Sequence, residues 1–454
     1  MGGHVIFSHY KYFDELLDAA LGAGPESWNT HQRISYVRFK GRWVAYPFQN
    51  NISALDVADQ VKCLEGLVEA KVRNATARSP PSTFDEWILR TQGEGLAEVF
   101  MRPYNFKVWA TPTTEMQCRW LGERVATVDV GRAISNVLHG KEEGNWGPNA
   151  VFRYPRHGGT GAIWKGVAKL LPKERLRFGP EQRVEGIDLD AKTVTLAGGR
   201  VIRFERMLNT MPLDTTLQLC GQPKLSEGLV HSSSHIIGIG IRGQVPHGKR
   251  CWLYFPEDDC PFYRTTVFSN YAEANCPPSD KLLPTLCLAD GSDPSDTLSS
   301  RPGPYWSLMF EVSESEQKPV NQEKVRLGGI AGEYPQVVLD TLRGAIATGL
   351  MQESDEVVSI FYTRLEHGYP VPSLSRDAAL DKALPFLQER GVWSRGRFGS
   401  YKYEVANQDH SLMLGVEAAD NIALGTAELT LTHPDIVNAK YNSHLLHSHK
   451  PNLK

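Results

Sequence analysis

The sequence has almost no surplus of charge of either sign. Lys and Arg number 49 and Asp and Glu 52, so the formal net charge of the 454 residues is −3. Proteins that bind nucleic acids or acidic membranes electrostatically carry a basic surplus or patch. We therefore expect neither a nucleic acid nor a membrane among the partners. Any anionic ligand must be held by a few individually placed arginines.

Long apolar runs are also missing. No segment is long enough to cross a bilayer as a helix, and the N-terminus has no apolar signal core. The seven cysteines include no C-x-x-C pair, and an odd number of such thiols suits a reducing compartment. Together these features predict a cytoplasmic protein.

The usual patterns for a protein nucleophile, a P-loop or a catalytic zinc ion do not occur. His444, His447 and His449 lie near the C-terminus without an accompanying cysteine or carboxylate, so solvation is favoured over metal binding. The sequence therefore predicts no metal site.

Two glycine-rich segments resemble phosphate-binding turns. Residues 238–243 match G-x-G-x-x-G, but residues 244–248 include Pro246 and cannot open the helix that this motif requires. The alternating Ile and Gly instead predict a strand whose glycine face packs closely on a neighbour. Residues 157–161 do precede a helix, and both a phosphate-binding turn and an ordinary connection remain open there.

Periodicity and turn residues predict the secondary structure. We expect a capping box at Ser53 and Asp56, and a second helix start at Thr83 with Glu86 three residues on. A surface loop is expected over 288–304. Helices are expected over 13–21, 53–72, after 83, 113–121, 161–171, 335–351, 376–390 and from 407. Strands are expected in a hairpin over 33–48 and over 183–189, 193–204, 236–241, 252–255, 264–268 and 306–312.

Aromatic residues repeatedly stand beside Arg, Asn or Gln. Aromatic faces can stack on a base, amides can read its edge, and Arg and Tyr can hold a diphosphate. A single block of this kind is more often a core aromatic beside a surface charge. Their number here favours a nucleotide-diphosphate ligand. The blocks are residues 46–50, 100–109, 122–124, 145–149, 252–254, 262–264, 367–370 and 395–403.

Taken in order, these blocks resemble the eukaryotic (fungal-type) UDP-galactopyranose mutases. The match runs from Gly2-Gly3-His4, which has the character of an active-site loop, to Asn407-Gln408-Asp409-His410. The resemblance implies an isomerase that interconverts UDP-galactopyranose and UDP-galactofuranose through a reduced-flavin N5–sugar adduct. It also implies FAD as cofactor, NADPH as its reductant, and a role in galactofuranose glycan and cell-wall synthesis.

The resemblance assigns roles residue by residue. The catalytic residues that it implies are His4, Arg124, Arg264 and Asn149. The substrate-binding residues that it implies are Tyr46, Phe48, Gln49, Phe100, Asn105, Trp109, Asn145, Trp252, Tyr254, Tyr369 and Tyr403. The cofactor-binding residues that it implies are Gly2, Gly3, Val184, Arg397, Asn407 and Gln408, and the residues that engage NADPH are Arg33, Ser35 and Arg397.

The implied fold is α/β plus α+β: an incomplete Rossmann-like FAD domain with a helical insert and an antiparallel-sheet substrate domain. The resemblance also implies a homotetramer, and a β-α-β unit with G-x-G-x-x-G ahead of Gly2 that the sequence does not contain. We therefore expect this chain to bind FAD weakly. The expected domains are 1–22 with 145–225 and 390–430 for FAD, 51–144 helical, 23–50 with 226–389 for the antiparallel sheet, and 431–454 as a tail.

Two other functions are compatible with these motifs. A flavin amine oxidase-like oxidoreductase would share the fold, but the diphosphate arginines disfavour it. A non-catalytic paralogue that binds UDP-sugar, or that assembles with other subunits, is the remaining alternative.

Overall fold

The computed structural model describes residues 3–76, 78–143, 150–294 and 299–438. Its helices are α1 (Lys11–Leu21), α2 (Val57–Ala75), α3 (Phe84–Thr91), α4 (Gly93–Leu96), α5 (Arg102–Trp109), α6 (Val130–His139), α7 (Gly159–Lys169), α8 (Leu213–Leu219), α9 (Gly328–Ala331), α10 (Gln336–Ala347), α11 (Arg376–Glu389), α12 (Gln408–Leu424), α13 (Leu429–Thr432) and α14 (Pro434–Val437).

The strands alternate with these helices along the chain. They are β1 (Trp28–Gln32), β2 (Tyr36–Phe39), β3 (Arg42–Ala45), β4 (Val151–Pro155), β5 (Val184–Asp188), β6 (Thr193–Leu196), β7 (Val201–Arg203), β8 (Met207–Asn209), β9 (Val230–Arg242), β10 (Trp252–Tyr254), β11 (Arg264–Val267), β12 (Cys287–Leu288), β13 (Tyr305–Glu314), β14 (Lys324–Leu327), β15 (Gly332–Pro335), β16 (Glu356–Val371) and β17 (Val392–Ser394).

One large sheet carries most of the strands. Its eight strands follow the order β12-β16-β9-β13-β11-β10-β2-β3. Every pair in it is antiparallel except β10 with β2. The predicted antiparallel sheet and the predicted hairpin of β2 and β3 are therefore confirmed. The long strand β16 was not predicted, because its residues 367–370 were interpreted only as a ligand-binding block.

The G-x-G-x-x-G segment lies inside β9, as the strand prediction required. A Cβ atom on Gly240 would lie 2.3 Å from the Ser359 hydroxyl oxygen, and one on Gly238 would lie 3.3 Å from Phe361. Both neighbours belong to β16, so the glycine face is covered by the adjacent strand and has no phosphate-binding geometry.

The helical module departs from prediction at three points. The second helix begins at Val57, and the Asp56 side chain makes no capping hydrogen bond, so the expected capping box is wrong. The Thr83 hydroxyl does accept a hydrogen bond from the Glu86 amide at 3.0 Å, as expected. Residues 113–121 contain only a short 3₁₀ turn. Residues 100–109 instead form a π-helical turn, Ala97–Met101, followed by α5.

The remaining strands form smaller sheets. β5, β6 and β7 make an antiparallel three-stranded sheet at the predicted positions. β8 and β17 pair in parallel, with Leu208 opposite Trp393, although these two residues are 185 positions apart in the sequence. The structure therefore combines antiparallel and parallel pairing, which is a mixed α/β architecture.

Two further observations concern the described residues as a whole. No described helix is both long enough and apolar enough to cross a membrane. All seven cysteines are unpaired.

Candidate active site

A cavity of about 880 Å³ brings together predicted residues from distant parts of the chain. Strands β10 and β11, the end of β16, the segment after β17 and the start of α12 all contribute to its walls. The predicted residues that line it are Gly3, His4, Trp252, Arg264, Tyr369, Arg397, Tyr403, Asn407 and Gln408. Residues that the sequence did not indicate complete the walls, among them Phe7, Trp164, Thr210, Ser411, Leu412, Gly415 and Val416.

A buried ion pair forms one wall. The Arg264 Nη2 atom lies 2.7 and 2.8 Å from the two carboxylate oxygens of Glu311, and Nε lies 3.1 Å from Oε1. The Tyr263 hydroxyl donates to the same carboxylate at 2.6 Å. Burial opposes ionisation of Glu311, but the Arg264 charge and these hydrogen bonds outweigh it and hold the pKa of Glu311 below its usual value. The side chain of Arg264 remains 21% exposed, so the pair still faces the cavity.

Glu311 is the most important site residue that the sequence analysis missed. It stands in β13 between Phe310 and Val312, both buried. A buried carboxylate between two large apolar residues is costly without a partner. That isolated charge was the available signal, but its partner could not be read from the sequence.

The Gly3-His4 loop crosses the floor of the cavity. A Cβ atom on Gly3 would lie 2.4 Å from the Thr266 hydroxyl oxygen, so this position requires glycine. The ring of His4 is accessible from the cavity, yet desolvation by the surrounding protein lowers the pKa of His4 to about 4. The imidazole is therefore neutral near pH 7.

One face of α12 forms a second wall. Gln408, Ser411, Gly415 and further residues at helical spacing line the cavity, with Asn407 at the helix start. The Asn407 side chain makes no capping hydrogen bond to the helix. The first-turn amides and the positive end of the helix dipole therefore suit a negatively charged or electron-rich group.

Arginine and tyrosine side chains stack around the cavity. The Arg397 guanidinium lies 5.0 Å from the ring centroid of Tyr369 and 5.5 Å from that of Tyr403. Arg124 covers Tyr403 at 4.6 Å and donates hydrogen bonds to the Asn407 Oδ1 atom at 3.3 Å and the Glu404 carbonyl at 3.1 Å. This cluster provides positive charge and hydroxyl groups, which is the chemistry that holds a diphosphate.

The residues predicted to hold the uridine lie beside the cavity and contact one another. Phe100 stacks between Phe48, at 4.6 Å, and Tyr104, at 5.1 Å. Trp109 contacts the cavity-lining Tyr403 edge-on at 4.6 Å. The amides of Gln49 and Asn105 donate to the carbonyls of Ala126 and Met101. Their role in binding uridine stays a prediction.

The other predicted residues are placed as follows. The Arg33 guanidinium lies 4.2 Å from the Tyr46 ring centroid, and Tyr46 contacts Tyr254 at 5.2 Å. Ser35, two residues after Arg33, is buried, and its backbone carbonyl accepts a hydrogen bond from the Tyr46 amide. Val184 lies in β5 and does not line the cavity. Gly2, Asn145 and Asn149 lie outside the described residues.

The chain is similar to several proteins of known structure. No family model matches the chain. A crystal structure of reduced UDP-galactopyranose mutase is 43% identical, with a TM-score of 0.85 over 96% of this chain and 86% of that chain.

Two more distant structures share the fold. A putative protoporphyrinogen oxidase from Exiguobacterium is 12% identical, with a TM-score of 0.58 over 90% of this chain and 84% of that one. A CLA-producing fatty acid isomerase from P. acnes is 11% identical, with a TM-score of 0.51 over 94% of this chain and 87% of that one.

The chain thus shares its mixed helix and sheet architecture with a UDP-galactopyranose mutase and a putative protoporphyrinogen oxidase. At 43% identity over nearly its whole length, the chain belongs to the UDP-galactopyranose mutase family and is an isomerase.

Proposed function

We propose that this chain interconverts UDP-galactopyranose and UDP-galactofuranose with reduced FAD as its cofactor. The observation that carries the proposal is the meeting of Arg264, Arg397, Tyr369 and Tyr403 with the Gly3-His4 loop and the start of α12 on one cavity. These groups match the two ligands that such a reaction requires, a nucleotide diphosphate and a flat aromatic cofactor.

The residues present fit a flavin. The Gly3-His4 backbone, which cannot carry a side chain at Gly3, would lie against the ring system. Asn407 and Gln408 at the start of α12 would face its polar edge, and Trp164 would contribute an apolar wall. When bound, reduced FAD supplies the nucleophilic chemistry at the anomeric carbon, so no protein nucleophile is needed.

The chain's own residues would bind and release the UDP group. Arg264 and Arg397 offer charge-assisted hydrogen bonds to the phosphates, and they stabilise the charge that develops as the sugar–phosphate bond breaks. Burial raises the pKa of Tyr369, so its hydroxyl stays protonated and can donate to a phosphate oxygen. Arg124, whose guanidinium stacks on the Tyr403 ring, would cover the diphosphate end of the site.

Further roles belong to the same proposal. Tyr46, Phe48, Gln49, Phe100, Asn105, Trp109 and Tyr254 would hold the uridine and the neighbouring phosphate. Arg33, Ser35 and Arg397 would engage NADPH when it reduces FAD. The product would supply galactofuranose glycans, including those of a fungal-type cell wall, from the cytoplasm.

We also propose self-association as a homotetramer. The supporting observation is an apolar stripe on α2, where Val57, Val61, Val68 and Val72 are between 45% and 73% exposed. Several exposed apolar side chains on one face of a helix are typical of protein interfaces. Size-exclusion chromatography with light scattering measures the oligomeric state. The double substitution Val61→Glu/Val68→Glu should convert the tetramer into smaller species. A wild-type monomer at assay concentration contradicts the tetramer.

The enzymatic proposal is tested by incubating the chain with FAD, reducing it with dithionite under anaerobic conditions, and separating the two UDP-galactoses by chromatography. We expect interconversion with reduced FAD and none with oxidised FAD. A flavin-loaded, reduced protein that leaves UDP-galactofuranose unchanged contradicts the proposal. Amine-dependent oxygen consumption would instead support the oxidase alternative, and UDP binding without flavin uptake would support the non-catalytic one.

A further inference from the structure

A second polar cluster lies outside the active-site cavity. Asp214 of α8, His231 of β9 and His367 of β16 converge where the large sheet meets α8. The two imidazole rings stack with centroids 4.0 Å apart and an interplanar angle of 26°. Both rings present a nitrogen to the same carboxylate, and none of the three residues lines the cavity.

The donor atoms have the spacing of a metal site. The His367 Nε2 atom lies 2.9 Å from the Asp214 Oδ2 atom, and the His231 Nδ1 atom lies 3.4 Å from it. The Tyr401 hydroxyl oxygen lies 3.2 Å from the same His231 nitrogen. Donors bonded to a tetrahedral Zn²⁺ at about 2.1 Å are separated by roughly 3.3 Å. The distances to the carboxylate are close to this separation, and the two stacked rings would have to turn so that both nitrogens face one ion.

The chemistry of the donors is that of a cation site. Asp214 contributes a carboxylate, and the two imidazoles contribute ring nitrogens whose deprotonated form ligates metal ions.

The cluster is reachable from solvent. The side chains of His231, His367 and Asp214 are 23%, 19% and 13% exposed, so an ion could enter without opening the core. Two imidazole nitrogens and one carboxylate oxygen form a donor set that suits Zn²⁺ and related borderline ions better than Ca²⁺ or Mg²⁺.

We propose that Asp214, His231 and His367 bind one Zn²⁺ ion, with the Tyr401 hydroxyl or a water as the fourth ligand. The sequence did not indicate this site, because its three ligands lie on separate elements that meet only in the folded chain.

A zinc ion at this position would stabilise one edge of the active site. Phe398, the neighbour of Arg397, packs edge-on against His367 at 5.2 Å, and the Arg397 Nη2 atom lies 3.5 Å from the Gly368 carbonyl. Tyr369 follows directly in the same strand. The ion would tie β9 and β16 to α8, and so would stabilise the segments that carry Tyr369 and Arg397. It would act as a structural ion, and the proposal does not depend on the flavin chemistry.

The test measures metal binding directly. The chain is stripped with EDTA, and Zn²⁺ is titrated by calorimetry and counted by mass spectrometry after dialysis. We expect the wild type to hold one more Zn²⁺ per chain than a His231→Gln/His367→Gln double variant, and to gain thermal stability with Zn²⁺ that this variant does not gain. A His139→Gln/His433→Gln variant, which removes two exposed histidines, should bind as the wild type does.

His9, Asp409 and His410 are a second set of possible ligands. The double variant would retain any zinc bound there, so the difference in zinc content between the wild type and this variant reports on the proposed site alone. Asp214→Asn, which keeps the side-chain shape, should weaken the affinity at least tenfold. Should the double variant not fold, the Co²⁺ absorption bands of a nitrogen-ligated, low-coordinate ion should be present in the wild type and weakened in Asp214→Asn. Equal Zn²⁺ binding by the wild type and the folded double variant, or a Co²⁺ spectrum of the hydrated ion, overturns the proposal.

Discussion

Arg264 and Glu311 are directly paired residues on the neighbouring antiparallel strands β11 and β13. The Arg264 Nε and Nη2 atoms donate to the two Glu311 carboxylate oxygens at 2.7 to 3.1 Å on the wall of the cavity. The carboxylate thus offsets the guanidinium charge in the protein and keeps the side chain oriented before a ligand arrives. A diphosphate that binds here meets an arginine already fixed in position.

Glu311→Gln should lower the free energy of unfolding and enlarge the stabilisation by UDP. The amide keeps the shape but leaves Arg264 without its counter-charge, which costs about 3–5 kcal/mol in a buried pair. Because UDP phosphates can supply that charge, UDP should raise the melting temperature more in the variant than in the wild type. Urea unfolding and thermal shift with and without UDP measure both effects.

Glu185→Gln serves as the control, because it breaks an ion pair in which Arg183 is 72% and Glu185 45% exposed. It should change stability by less than about 1 kcal/mol. Equal stabilisation by UDP in the wild type and Glu311→Gln would contradict the proposed contact between UDP and Arg264.

Arg264→Ala should weaken UDP binding by about 2–3 kcal/mol, because a charge-assisted contact to the diphosphate is lost and Glu311 then faces the phosphates. Isothermal titration with UDP measures the change. Arg343→Ala removes an exposed arginine of α10 and should bind UDP as the wild type does. Unchanged affinity in Arg264→Ala removes this residue from the site.

Stability should fall as the pH is lowered from about 6.5 towards 4, in part because of His410. Burial lowers the pKa of His410 to about 4, with Asp409 opposing the shift and His9 and Arg124 adding to it. The unfolded chain, with a pKa near 6.5, therefore binds the proton more readily between these values. The contribution is fully present above pH 6.5, and about 3 kcal/mol is lost by pH 4.

Urea unfolding at several pH values, with EDTA present, measures the slope of the free energy of unfolding against pH. His410→Gln should flatten it between pH 6.5 and 4, whereas His139→Gln, at an exposed position on α6, should leave it unchanged. A slope that His410→Gln does not alter would assign the loss of stability to other groups.

Gly95→Ala should destabilise the helical module. A Cβ atom at this position would lie 2.2 Å from the carbonyl oxygen of Lys62, a backbone atom of α2, so the two helices would have to separate. We expect a cost of about 3 kcal/mol. Gly131→Ala is the matched control, because the nearest atom there, Asp129 Oδ1, is 3.6 Å away, and alanine should be neutral or stabilise α6 by up to about 1 kcal/mol. Thermal unfolding distinguishes them, and similar melting temperatures would disprove the tight contact of α2 with α4.

Local pattern was sufficient for many elements. The hairpin of β2 and β3, the start of α3 at Thr83 and the strand over residues 236–241 all follow from short-range features: a turn, a capping hydroxyl and alternation. Local pattern failed where residues that resemble a ligand-binding motif also form a helix or a strand. Residues 100–109 and 367–370 were interpreted as binding blocks, although they also form α5 and the end of β16.

The sequence by itself determined the family of this protein and most of its candidate site, because those depend on the order and types of residues such as Gly3, Arg264, Tyr369 and Asn407. The tertiary structure alone decided which groups meet. Arg264 contacts Glu311 because of the register of β11 and β13. Asp214 lies close to His231 and His367 because α8 packs on the sheet. Contacts of this kind join residues far apart in the chain, and their energies depend on burial and distance, which no local pattern encodes.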